Sequence, residues 1–186
     1  FIDQNWVTKA DNFWIDHILP ASDDKHIAFF LRHLTNDGGV YTRLFFANTK
    51  EWNYWCALDT GMASHACWLT KNQFGVWARQ QTFVKSISRF KWANLLKPIF
   101  SLVRKFGIPN RIRTSLYGDK FLFFYTNDDK TESFAQNIPS NEGGGHFSFD
   151  KSSKWMLNDC FPDDKGERPL MIYHLQENKR NDIIRL

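Results

Sequence analysis

HFSFDKSSKWM, at residues 146–156, decides the fold of this chain because a similar pattern occurs twice more. HILPASDDKHI occupies residues 17–27, and HACWLTKNQFGV occupies residues 65–76. Each stretch has a histidine, a short apolar run, a polar turn and a second apolar run, which predicts a strand, a tight turn and a returning strand. Self-similarity of this kind is the signature of a repeat architecture. The chain is therefore predicted to be built from repeated β units.

The spacing of the three histidines predicts the size of the repeat. His17 and His65 are 48 residues apart, and His65 and His146 are 81 apart. Removing an insertion of about 35 residues from the second interval leaves a period near the ~40–50 residues of a four-stranded propeller blade. We predict an all-β fold, one partial β-propeller over residues 1–186 with about three blades. The blades are placed at residues 13–60, 61–138 and 139–186, with one α-helical basic insertion at 82–118.

Three blades do not close a ring, since propellers typically have four to eight. An open stack would leave unpaired faces, which natural proteins avoid. We therefore expect the missing blades of a longer chain or, less commonly, a dimer partner.

Composition agrees with a strand-rich globular protein. Of the 186 residues, 42% are hydrophobic and 17% are aromatic, and the eighteen Phe and eight Trp favour strands. No apolar run approaches the ~20 residues that cross a bilayer. The cysteines Cys56, Cys67 and Cys160 lack C-x-x-C spacing and are predicted to be buried, unpaired side chains. With no leader sequence at the start, they favour a cytoplasmic location.

The net charge of +4 is concentrated in one segment. Between Lys85 and Gly118 there are eight Lys or Arg residues and no acidic residue, so the rest of the chain sums to −4. Apolar residues at helical spacing in this segment predict an amphipathic basic helix. Three interpretations stay open: peripheral contact with an anionic membrane surface, a lid, or a helix packed on the propeller with its charges in water. No recognised motif indicates nucleic-acid binding.

The stretch 146–155 resembles the H-P-S-F-S-P-D-G-K-W signature of Tol-type and oligogalacturonate-lyase-like β-propellers, and residues 17–27 resemble it more distantly. The continuation at 155–163 is similar to a W-I-L-T-D-T-Y-P-D run in uncharacterised bacterial propellers of this kind. The resemblance covers most of the chain outside 82–118. It implies a propeller fold, while its turns recur in propellers of unrelated function.

Antiparallel pairing makes a geometric prediction about polar residues. The start of one strand lies beside the end of the next, and a histidine is predicted to start each repeat. Six residues are therefore expected at one mouth of the central channel: His17, Arg32, His65, Arg79, His146 and Asp159. Such a group suits an anionic ligand or a metal. The alternative is that each histidine is a repeated scaffold contact.

The resemblance also implies a chemistry. Oligogalacturonate-lyase-like enzymes cleave acidic saccharides by β-elimination, with a divalent metal that neutralises the substrate carboxylate and a basic side chain that takes the proton. It implies His65 and His146 as metal ligands for manganese or calcium, and Arg32 and Arg79 as catalytic base or carboxylate clamp. His17 and Asp159 would bind substrate. The family's closely spaced histidines are absent here, where glycines precede His146. The competing hypothesis is a non-catalytic interaction scaffold, peripheral to a membrane through the basic helix.

Overall fold

The computed structural model describes residues 12–35, 38–79, 118–127, 130–135, 138, 144–163 and 165–186. These residues form twelve β-strands and no helix. The predicted all-β class is therefore confirmed for the described part of the chain. All but the last residue of the predicted helical insertion, 82–118, lies outside it. No helix that could cross a membrane occurs among the described residues.

The strands follow one another as four-stranded meanders. Sheet 1 has the order β1-β2-β3-β4, sheet 2 has β5-β6-β7-β8, and sheet 3 has β12-β11-β10-β9. The strands are β1 Phe13–Pro20, β2 His26–Leu34, β3 Val40–Asn48, β4 Asn53–Gly61, β5 Ala63–Thr70, β6 Gln73–Arg79, β7 Asp119–Asn127, β8 Lys130–Ala135, β9 Phe147–Phe149, β10 Trp155–Asp159, β11 Pro169–His174 and β12 Lys179–Arg185.

Side-chain oxygens that accept backbone hydrogen bonds fix the turns between these strands. Asp23 accepts from the N–H groups of Lys25 and His26 between β1 and β2. Between β9 and β10, Asp150 accepts from the N–H groups of Lys154 and Trp155. Hydrogen bonds from Ser152, and next from Trp155, lower the pKa of Asp150 to about 2. Two of the three polar turns of the repeated pattern are thus held by carboxylates that replace missing backbone partners, and in the third the Thr70 hydroxyl accepts from the N–H of Asn72.

Two compact units divide the chain. Unit 1 comprises residues 1–78 and 122–134, and unit 2 comprises residues 79–121 and 135–186. The core of unit 1 is centred on Phe46, which is 0% exposed and whose ring packs against those of Trp68, Phe74 and Phe124. The buried side chains of unit 2 include Phe121, Phe147, Met156, Met171 and Tyr173.

Three histidines occupy positions that differ from those expected. His17 and His65 were each expected to start a strand, but His17 lies inside β1, which begins at Phe13, and His65 lies inside β5, which begins at Ala63. His26 falls in a polar turn of the sequence pattern, but it is the first residue of β2 and is buried. In all three cases the antiparallel ladder extends further along the chain than the sequence pattern indicated.

Candidate functional site

The first predicted group lies at a β-bulge in sheet 1. The register between β1 and β2 shifts between Asp16 and Leu19, and His17 has a positive φ of 50° there. Asp16 binds both predicted residues: its Oδ1 is 2.8 Å from His17 Nδ1, and its Oδ2 is 3.0 Å from Arg32 Nη1. The Arg32 guanidinium also lies over the Phe30 ring, 5.2 Å from its centroid. Asp16 is the residue that joins His17 to Arg32, and it was not predicted.

Sheet 2 repeats this local geometry. His65 has a φ of 47° where the β5–β6 register shifts between Ser64 and Ala66. Ser64 lies opposite Trp77, as Asp16 lies opposite Phe30 in sheet 1. Each arginine, Arg32 or Arg79, follows that opposite residue by two positions. The bulge histidine and the arginine are therefore equivalent residues of a structural repeat, and positive φ is uncommon enough for a non-glycine residue to mark the repeat.

Arg79 has its carboxylate partner within the protein. Its Nε is 2.7 Å from Asp119 Oδ1, and its Nη2 is 3.1 Å from Asp119 Oδ2. This bidentate geometry is the strong form of an arginine–carboxylate pair. The side chain of Asp119 is 7% exposed and that of Arg79 is 27% exposed. The pair therefore joins the last residue of β6 to the first residue of β7, with the carboxylate buried and the guanidinium partly exposed.

His146 and Asp159 lie together, as the antiparallel pairing predicted. The Asp159 carboxylate accepts a hydrogen bond from the backbone N–H of His146, and its Oδ2 is 3.1 Å from His146 Nδ1. Both side chains face water, with 76% and 56% of their surfaces exposed. A Cβ on Gly145 would lie 2.5 Å from the backbone oxygen of Asp159, so this close approach requires glycine before His146.

The six predicted residues divide between the two units. His17, Arg32 and His65 belong to unit 1, and the other three, Arg79, His146 and Asp159, belong to unit 2. Their convergence on one channel mouth stays a prediction. Within the residues that the structure describes, no group of three or more His, Cys, Asp or Glu side chains is arranged to hold a metal ion. Of the two implied metal ligands, His65 and His146, it is His146 that lies beside a carboxylate, that of Asp159.

A second polar cluster, which was not predicted from the sequence, lies on the other face of sheet 1. We call it the Arg43 cluster: His33, Tyr41, Arg43 and Asp59. Arg43 Nε is 3.0 Å from Asp59 Oδ1, and its Nη1 is 3.3 Å from His33 Nδ1. The Tyr41 hydroxyl donates to Asp59 at 2.8 Å. Burial, and next the Asp59 carboxylate, raise the pKa of Tyr41 to about 12. Two sequence signals could have found this cluster. Alternation along β3 places Tyr41 and Arg43 on the same face, and antiparallel pairing with β2 places His33 opposite Tyr41.

The Arg43 cluster predicts a pH-dependent stability. Burial, and next the charge of Arg43, lower the pKa of His33 below its ordinary 6.5. A group with a lowered folded pKa binds its proton more readily when unfolded, so stability is full above about pH 6.5 and falls as pH drops through the folded pKa. We expect the urea midpoint to decrease in that interval. In His33→Phe, which keeps an aromatic ring beside Phe13 and Tyr41, the decrease should be smaller, and equal slopes would contradict this assignment.

The cysteine thiols are expected to react slowly with thiol reagents. Cys160 is buried as predicted, Cys67 is only half-buried, and Cys56 is exposed, so the prediction was wrong for Cys56. Burial nevertheless raises the pKa of the Cys56 thiol to about 11 and that of Cys67 to about 12. At pH 8 the thiolate fraction of Cys56 is then ~100-fold below that of a thiol at its ordinary value. Labelling of Cys56 with a disulfide reagent should be correspondingly slower than labelling of glutathione. Equal rates would refute the raised pKa of Cys56.

Comparison with known proteins identifies no family. No protein-family model matches the chain. No curated protein matches it significantly.

Proposed function

We propose that the chain is part of a β-propeller in which each of the three sheets is one blade. Three features support this proposal: consecutive four-stranded meanders, which are the unit of a blade, the equivalent bulges of sheets 1 and 2, and the resemblance of residues 146–155 and 17–27 to Tol-type propeller signatures. The remaining blades come from a longer chain or from a dimer partner.

Within that fold, a non-catalytic interaction scaffold is the function that the geometry supports best. One observation carries this proposal: Arg32, Arg79 and Arg43 each form an ion pair with a carboxylate of the same protein. A clamp for an anionic substrate must offer a cation to that substrate, and a general base must be able to take a proton. Arginines already paired internally act instead as fixed links between strands. The bulge histidines His17 and His65 then shape the backbone.

Acidic-saccharide binding is the second candidate, and it rests on the exposure of His146 and Asp159. This imidazole–carboxylate pair is accessible to a ligand. A manganese or calcium ion held there would neutralise a uronate carboxylate and acidify the neighbouring C–H, the step that starts β-elimination. The proposal needs further ligands from elsewhere in the assembly, because two side chains do not complete the coordination of either ion.

A thermal-shift titration distinguishes the two candidates. Wild type, His146→Ala and His65→Ala are titrated with manganese or calcium, each with and without oligogalacturonate. The scaffold predicts no ligand-dependent shift in any of them, and a loss of about 1 kcal/mol in the unfolding free energy of His65→Ala at its bulge. A shift in wild type that His146→Ala abolishes and His65→Ala retains would favour saccharide binding. It would also justify an assay for unsaturated products.

The basic segment between Lys85 and Gly118 adds a membrane-peripheral version of the scaffold. Its eight positive charges without a negative charge favour an anionic surface. Flotation with vesicles containing phosphatidylserine tests this version. Binding that disappears at high salt and with phosphatidylcholine alone would support it, and equal recovery with both vesicles would contradict it.

A further inference from the structure

Among the buried polar atoms of sheet 1 that have no hydrogen-bond partner in the described part of the protein are His26 Nε2, Asn48 Nδ2 and Trp55 Nε1. His26 is 5% exposed and Asn48 is 1% exposed. Buried polar atoms in native proteins are nearly always hydrogen-bonded, to protein or to ordered water. Three such atoms in one place therefore require a common explanation.

The strand register places these three side chains in one patch. His26 lies opposite Asn48 in the β2–β3 ladder, and Asn48 lies opposite Asn53 in the β3–β4 ladder. Trp55 follows Asn53 by two residues, so it projects from the same face of the sheet. The His26 and Trp55 rings meet edge to face, with centroids 6.5 Å apart.

Neighbouring hydrogen bonds fix which of the three atoms donate and which accept. Asp23 Oδ2 is 2.6 Å from His26 Nδ1. A carboxylate only accepts, so Nδ1 carries the proton, and Nε2 is an acceptor when the ring carries no second proton. Asn48 is oriented by its Oδ1, which accepts from the N–H groups of Lys50 and Glu51. Its Nδ2 is therefore a donor, as is Trp55 Nε1.

We propose that this patch, which we call the His26 site, binds an internal water molecule. One O–H of the water donates to His26 Nε2, and its oxygen accepts from Asn48 Nδ2 and Trp55 Nε1. Two donors and one acceptor within one patch match a water and match neither a cation nor an anion. A cation is repelled by the two N–H groups, and an anion cannot satisfy the unprotonated nitrogen. Two to four polar partners are typical of buried waters.

Water-selective NOE and ROE spectra of the ¹⁵N-labelled protein test the site. The two experiments together separate dipolar contact with a bound water from simple proton exchange. The chain contains its own control, because Trp68 Nε1 donates to the backbone oxygen of Leu19 at 2.9 Å. We expect the Trp55 indole proton to show a dipolar cross-peak at the water frequency and the Trp68 indole proton to show none. A missing cross-peak at Trp55, or equal cross-peaks at both, would overturn the proposal.

A second measurement tests the assigned roles of the nitrogens. Long-range ¹H–¹⁵N correlation at pH 7 should show His26 with Nδ1 protonated and Nε2 bare. A doubly protonated ring would overturn the proposal, since Nε2 would then be a third donor. In a high-resolution crystal structure, an oxygen peak within about 3 Å of all three nitrogens is expected. A fully enclosed site without that peak would contradict the proposal.

Discussion

Replacement of Phe46 by alanine is expected to lower the free energy of unfolding by about 4 kcal/mol. Phe46 is 0% exposed, and its ring contacts rings from both sheets of unit 1: Trp55 in sheet 1, and Trp68, Phe74 and Phe124 in sheet 2. Truncation leaves a cavity among rigid rings that cannot collapse to fill it, so the lost transfer free energy and the cavity cost add. Urea denaturation followed by tryptophan fluorescence measures the loss.

A matched control for Phe46→Ala is Trp52→Ala in the hairpin between β3 and β4. Trp52 is also a large aromatic residue, but it is 91% exposed. Its truncation should change the unfolding free energy by no more than about 0.5 kcal/mol. Similar losses for the two variants would show that Phe46 does not occupy the core described above.

Breaking the Arg79–Asp119 pair is the second change with a large expected effect. Arg79→Met or Asp119→Leu should each cost about 3 kcal/mol, because each leaves one charge in a site that water reaches poorly. The cost lies at the lower end for buried pairs because Arg79 retains partial exposure. Equilibrium unfolding in urea at pH 7 gives both values.

The double variant Arg79→Met with Asp119→Leu separates charge pairing from packing. It should regain most of the stability that either single change loses, since no uncompensated charge remains. Glu51→Gln supplies the surface comparison. Its carboxylate is half exposed and lies 3.9 Å from Lys25, so the change should cost under about 0.5 kcal/mol. Strictly additive losses in the double variant would contradict the proposed role of the pair.

The fold class could be predicted from the sequence because it depends on local patterns. The alternation on either side of polar turns, as at Asp23 and Asp150, gives strand-turn-strand units without reference to distant residues. The contact between His146 and Asp159 follows from the same reasoning, since the two residues flank one hairpin. The division into two units could not be predicted, because it depends on which buried side chains pack together across the chain.

Much of the candidate site could not be predicted, for two physical reasons. A β-bulge inserts a residue and changes which side chains are neighbours, so Asp16, and not His17, contacts Arg32. Pairing between residues far apart in sequence is also invisible in a local pattern, as with Arg79 and Asp119, which are 40 positions apart. Without these two pairings, Arg32 and Arg79 had no assigned partner in the sequence, and a role as catalytic base or carboxylate clamp was predicted for them.

The Arg79–Asp119 pair also has a consequence for engineering the chain between β6 and β7. It joins the two ends of a 39-residue excursion, 80–118, whose flanking strands β6 and β7 are neighbours in one sheet. The entropy of closing a loop grows only logarithmically, so doubling the loop costs about 0.6 kcal/mol. We therefore expect a change in the number of residues between β6 and β7 to cost little loop-closure entropy, so this connection is a candidate position for a reporter domain or a glycine–serine linker.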